Sequence, residues 1–96
     1  MGREQKGTRP VVIVSGNSMN MHYDVVITCP ITSSIKNTPG SVFLVKSKLN
    51  NLKEDSEILV LQIRTLSKLK FKKKIGVIDN IQFNEILSGL NKLFKY

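Results

Sequence analysis

The stretch Arg9-Pro10-Val11-Val12-Ile13-Val14 constrains the fold more than any other part of this chain. Pro10 fixes its own φ and pushes Arg9 towards an extended backbone. The four β-branched residues that follow have the composition of a buried strand. Ahead of them, Gly2-Arg3-Glu4-Gln5-Lys6-Gly7-Thr8 sets two glycines around charged and polar residues, the pattern of a loop. The chain thus presents an arginine at the mouth of a strand, behind a basic loop. A guanidinium there suits phosphate, because its planar fork meets two oxygens at once. The plainer alternative is an ordinary surface arginine at a strand entry.

Short apolar runs recur downstream. Val25-Val26-Ile27-Thr28-Cys29 lacks alternation, which predicts a strand buried on both faces, with Pro30 at its edge or end. Thr32-Ser33-Ser34 places three hydroxyls where the chain leaves the sheet, and Asn37-Thr38-Pro39-Gly40 reads as a turn. Ser41–Val45 is a third strand. Lys46–Asp55 is a polar loop, with Leu49 and Leu52 packing back. Glu57–Thr65 is the longest strand candidate, with Leu61, Ile63 and Thr65 on one face and Gln62 and Arg64 on the other. A turn around Ser67–Leu69 leads through a lysine run to a last short strand, Ile75–Ile78. Asp79 has the character of an N-cap. After it, Phe83, Ile86, Leu87, Leu90, Leu93 and Phe94 recur at three- and four-residue steps and predict an amphipathic helix. Gly89 and Asn91 lower its propensity, so packing must hold it. Residues 1–96 are read as one domain of the α+β class, mainly β: a small, strongly curved sheet or partial barrel of antiparallel strands with a C-terminal helix.

The 96 residues and 41% hydrophobic content suit one globular domain with a modest core. No apolar run approaches the ~18 residues of a membrane span, and no apolar stretch of a signal peptide precedes the first strand. A membrane partner is not expected, and a cytoplasmic location is. Cys29, the single cysteine, forms no internal disulfide, and one Cys with one His cannot build the usual zinc site. No metal and no cofactor is expected. Fifteen Lys and Arg against seven Asp and Glu give a net charge of +8, which favours a polyanion, nucleic acid being the commonest. A basic surface that merely aids solubility is the alternative.

Three segments resemble one known family. Gly2-Arg3-Glu4-Gln5-Lys6-Gly7-Thr8-Arg9-Pro10-Val11-Val12-Ile13-Val14-Ser15 looks like the signature loop and second strand of the MazF/PemK toxins. These are small endoribonucleases of bacterial type II toxin–antitoxin pairs. Cys29-Pro30-Ile31-Thr32-Ser33 matches their Pro-x-Thr-[Ser/Thr] segment, and Gln62-Ile63-Arg64-Thr65 their Gln-x-[Arg/Lys]-[Thr/Ser] segment. The three occur in the family's order and cover nearly the whole chain. The resemblance implies an SH3-like barrel and a metal-independent, sequence-selective endoribonuclease that cleaves single-stranded RNA, including mRNA, and so inhibits translation and growth. It implies Arg9 and Thr32 as catalytic residues. The plainer reading of Thr32 is a hydroxyl capping a strand end. Candidate RNA contacts are Gln5, Lys6, Ser33, Ser34, Gln62, Arg64 and Thr65, of which Gln5, Gln62 and Thr65 match family positions. Lys68, Lys70, Lys72, Lys73 and Lys74 either track phosphates or form a solvated face. His22 lies in a variable connection and is read as a solvent-exposed loop histidine, outside the catalytic set.

The resemblance further implies a homodimer, a small cognate antitoxin that blocks the RNA groove, and contact with DNA only through the toxin–antitoxin complex. Family members carry one more strand ahead of the signature loop. This chain begins at the loop, which implies either a start upstream or a shortened member with an open sheet edge. Leu61 stands where some members have an acidic residue before the Gln. Two other readings keep the fold without the cleavage: a toxin that poisons DNA gyrase, and a degenerate toxin that only binds antitoxin or operator DNA.

Overall fold

A computed structural model describes the backbone of residues 2–4 and 7–95 and the side chains of residues 9–94; Gln5 and Lys6 lie outside the described residues. The strands are β1 (Gly2–Glu4), β2 (Gly7–Arg9), β3 (Val11–Ile13), β4 (Val25–Thr32), β5 (Val42–Leu44), β6 (Ser56–Ile58) and β7 (Arg64–Ser67). Among the described residues two α-helices, α1 (Asn17–His22) and α2 (Asn80–Lys95), and 3-10 turns at Val60–Gln62 and Lys68–Lys70 accompany the strands. β3, β4, β6 and β5 lie side by side in that order, and β7 also pairs with β4, giving a five-stranded antiparallel sheet. The mainly-β class with a terminal helix is as the sequence predicts.

β4 is the strand everything else is hung on. Val25–Thr28 pairs with β7, ending at Thr28 opposite Arg64, whereas Ile31 and Thr32 pair with Ile58 and Glu57 of β6. Between these pairings β4 advances three residues while the partner chain runs back six, from Arg64 to Ile58. The surplus is wound into the 3-10 turn Val60–Gln62. The expected single strand Glu57–Thr65 is therefore two short strands with a turn between them, and the face assignment of Leu61, Gln62 and Ile63 does not hold. Pro30 occupies the gap, inside β4 rather than at its end. It is paired there with neither β7 nor β6, so its missing N–H interrupts no ladder, and its carbonyl accepts from Leu59 N–H at 2.9 Å.

Three further expectations change. The opening loop contains an antiparallel pair, with Gly2 opposite Arg9, Arg3 opposite Thr8 and Glu4 opposite Gly7. The connection around Met19–Tyr23 holds α1, too short to persist alone. It is tied down where Asn20 Nδ2 donates to the Ser15 carbonyl at 3.0 Å and Ile27 N–H donates to Ser15 Oγ at 3.0 Å. His22 is exposed at its end. Ile75–Ile78 joins no strand: one bond, Val77 N–H to the Leu49 carbonyl at 3.0 Å, fixes it beside the Lys46–Asp55 loop. In that loop Leu52 packs against the core, while Leu49 is half exposed.

The core joins Val12, Cys29, Ile31, Val42, Leu44, Ile58 and Val60 of the sheet side to Ile86 of α2. Asp79 caps that helix, its Oδ1 accepting from Gln82 N–H at 2.8 Å. Ile86 is fully buried and Leu90 and Leu93 pack beside it, but Leu87 and Phe94 are exposed, so the buried stripe is narrower than the apolar pattern. Gly89 is a packing residue. A Cβ there would lie 2.8 Å from the Gly40 carbonyl oxygen, so only glycine lets the helix rest on the Pro39–Gly40 turn. Among the described residues no helix is long and apolar enough to cross a membrane.

Candidate active site

The β3–β4 register leads directly to the site. Val11 lies opposite Pro30, and Ile31 N–H donates to the Pro10 carbonyl at 3.1 Å, so the pairing continues past β3. One step further, Arg9 falls across from Thr32. Residues directly opposite on antiparallel strands share a face, with Cβ atoms about 5 Å apart. Thr32 is in turn opposite Glu57, and Glu57 opposite Phe43. Arg9, Thr32, Glu57 and Phe43 thus form one row across the sheet: an exposed guanidinium, a half-buried hydroxyl, a buried carboxylate and an exposed ring.

Thr32 Oγ1 accepts from Ser34 N–H at 3.1 Å. The plainer reading of this hydroxyl, a cap on the strand end, is thus observed. It leaves the chemical reading open, because a hydroxyl that accepts one bond keeps its proton to donate. Ser33 and Ser34 are exposed immediately beyond it. Arg64 is exposed opposite Thr28, on the face of Thr32 but four residues back along β4, roughly 13 Å at the usual strand rise. Thr65 lies opposite Ile27, so alternation turns it to the other face of the sheet. Gln62 is exposed on the 3-10 turn at the partner switch. Arg9, Thr32, Ser33 and Ser34 are brought together; Arg64 and Gln62 are further along, and Thr65 is separate.

Sequence reading missed Glu57. It is 2% exposed, yet among the described residues it pairs with no basic side chain. Its carboxylate accepts instead from Ser41 Oγ at 2.5 Å, Thr38 N–H at 2.9 Å and Lys36 N–H at 3.2 Å. The Ser41 hydroxyl and then the backbone amides of residues 36–38 hold its carboxyl below the ordinary 4.5, against the opposing effect of burial. Asn37, at φ 53°, gives the backbone the left-handed step that turns successive amides towards one anion. The available signal was a lone carboxylate heading an apolar run, with a Ser/Thr/Asn-rich loop upstream. Cys29 is the opposite case: burial pushes its thiol up to about 11, an inert core group.

A groove of about 930 Å³ lies beside this row rather than on it. It is lined by Pro10, Val11–Ile13 and Phe71–Ile78, with Lys72, Lys73 and Lys74 along it. Lys68 and Lys72–Lys74 of the lysine run line the groove, and the Lys68 ammonium is also bonded to the Asn20 carbonyl.

The model of the PemK-like, MazF-like toxins of type II toxin–antitoxin systems matches residues 1–94. The chain belongs to the PemK/MazF toxin family. A relative from Staphylococcus saprophyticus subsp. saprophyticus, the endoribonuclease MazF, is 37% identical over 92 residues, covering 94% of this chain and 76% of that protein. Among solved structures, the Mycobacterium tuberculosis toxin MazF-mt6 superposes with a TM-score of 0.84 at 19% identity, covering 98% of this chain and 93% of that one. A mycobacterial endoribonuclease in complex with its cognate antitoxin gives a TM-score of 0.83 at 23% identity, covering 98% and 87%. At those identities the structures establish the fold, and the PemK/MazF assignment rests on the family model and the staphylococcal relative.

Proposed function

We propose that this PemK/MazF toxin is an endoribonuclease that cleaves single-stranded RNA at the row begun by Arg9 and Thr32. The observation that carries the proposal is the continued β3–β4 register, through the Ile31–Pro10 bond, that leads Arg9 to the position across from Thr32. The family and the endoribonuclease name of the staphylococcal relative favour cleavage over the binding-only readings.

In this reading the 2′-hydroxyl of the substrate loses its proton to solvent water and attacks the adjacent phosphorus, the P–O5′ bond breaks, and the 5′-oxygen takes up a proton, giving a 2′,3′-cyclic phosphate and a 5′-hydroxyl. Negative charge gathers on the non-bridging oxygens of the phosphorane. The Arg9 guanidinium pairs with two of those oxygens, and the Thr32 hydroxyl donates to one while its lone pair stays on Ser34 N–H. Arginine keeps its proton at ordinary pH, so Arg9 stabilises charge or serves as an acid rather than as a base. Glu57 is a poor base too, its oxygens being engaged by Ser41, Lys36 and Thr38. Ser33 and Ser34 contact the RNA beside Thr32, Gln62 and Arg64 contact it further along, and Gln5 and Lys6 are the remaining candidate contacts.

The partners follow from the same reading. A cognate antitoxin covers the RNA site, and DNA is met only through that complex. A homodimer uses the sheet edges and the apolar residues of α2 left outside the core, Leu87 and Phe94. The location is cytoplasmic.

The test is incubation of the purified protein with a long RNA in chelator. Wild-type protein cuts it, and folded Arg9→Ala and Thr32→Ala variants each lose roughly a hundredfold or more in rate. Unchanged cleavage by either folded variant removes that residue from the mechanism.

A further inference from the structure

Glu57 is a buried carboxylate with no charged partner among the described residues, placed next to Thr32 on the face that would meet RNA. Uncompensated burial of a charge is costly, so what satisfies it indicates what it is for. Its partners all belong to the single loop that leaves Thr32 and returns to β5: Lys36 N–H, Thr38 N–H and Ser41 Oγ. Beyond Ser34, that segment is fixed to the sheet at its far end, through these bonds and the rest of the Pro39–Gly40 turn on Gly89. Ser33, Ser34 and Ile35 are exposed between the two anchors, with Thr32 at one end and the carboxylate's amides at the other.

We propose that Glu57 is a positioning residue for substrate recognition: its carboxylate holds the Ser33–Ser41 loop in shape, so that Ser33 and Ser34 meet the bases flanking the scissile phosphate. Single-stranded RNA is read by hydrogen bonds to splayed base edges, and such readout needs donors and acceptors held in place. Glu57 supplies that order without touching the substrate. The inference rests on the nuclease reading above, and adds that selectivity is set from beneath the loop.

The experiment compares full-length wild type, Glu57→Gln and Ser41→Ala. It measures kcat and KM on a short single-stranded RNA, cut-site mapping on a long RNA, and amide hydrogen exchange at Lys36 and Thr38. Glu57→Gln turns an N–H₂ group or a weaker acceptor towards the loop amides. KM rises about tenfold, the loss expected from a bond to a charged acceptor, with kcat little changed. Cut sites spread to sequences that wild type spares, and the Lys36 and Thr38 amides lose protection. Ser41→Ala, which removes one bond of the set, moves each readout the same way by less, and it carries the test should Glu57→Gln not fold. A merely structural role would lower the active fraction, hence apparent kcat, with KM and cut sites intact; that result overturns the proposal. So does an unaltered cut pattern when the two amides exchange freely. Wild-type protein that leaves RNA whole instead overturns the nuclease reading, and this inference with it.

Discussion

Two threonines on β4 differ in what surrounds them, and the difference bears on which end of the strand the proposed chemistry would use. Thr28 and Thr32 lie on the same face, four residues apart. Thr28 is fully buried, and its Oγ1 donates to the Arg64 carbonyl at 3.1 Å. Its proton is committed to the fold. Thr32 is half buried, and its hydroxyl accepts from a backbone amide, which orients the oxygen and leaves the proton to give. Thr28 has an interior strand pair on each side, Ile13 and Arg64; Thr32 has Glu57 on one side and the exposed Arg9 on the other. The same residue type thus serves as a strut at one end, and at the other keeps the free proton that the proposed chemistry uses.

The sharpest way to break this contrast is to exchange the consequences. Thr32→Ala is expected to cost roughly a hundredfold in RNA cleavage while thermal stability stays near wild type; an active variant, or a badly destabilised one, would erase the distinction. Next in size is the support under the loop that follows Thr32. Gly89→Ala drives a Cβ against the Gly40 carbonyl, 2.8 Å away, and is expected to lose about 2 kcal/mol in denaturant unfolding despite alanine's better helix propensity. Thr28→Val keeps the shape of the buried side chain and deletes its donor. It should cost about 1 kcal/mol of stability and leave cleavage largely intact, which unfolding and activity measured together will check.

The last prediction concerns pH. Glu57 has a folded pKa below the ordinary 4.5, so its contribution to stability is fully present above that value. It is lost as pH falls through the lowered folded value. Acid titration of wild type against Glu57→Gln should show the two stability curves approaching one another as pH drops below 4.5; parallel curves would mean that the carboxylate is not held by the loop.

Much of this was legible in the chain. The β-branched runs at Val11 and Val25, the Asp79 cap and the spacing of Ile86, Leu90 and Leu93 each carry a local signal, and each element formed. Glu57–Thr65 misled because nine residues of strand composition look continuous, while the three-residue surplus against β4 exists only in the pairing. Ile75–Ile78 has strand composition but no partner that offers it a ladder. Arg9 and Thr32 stood out through motifs, and their opposition follows from register, which sequence does not print. Glu57 was invisible for a different reason: its partners are mostly backbone amides, and an amide leaves no letter in the sequence.

Along one edge of β4, β3 pairs without a break, while along the other Pro30 and the 3-10 turn beside it separate two ladders. On one side β7 is zipped to the first half of β4, and on the other β6 is zipped to the second, with no rung shared between them. Along that edge the bond next after Thr28 is Leu59 N–H to the Pro30 carbonyl at 2.9 Å, which belongs to the chain leading into β6. Fraying of β7 from Ser67 to Arg64 therefore breaks none of the rungs that hold Thr32 and Glu57, and β3 alone ties the two halves of β4 along one continuous ladder.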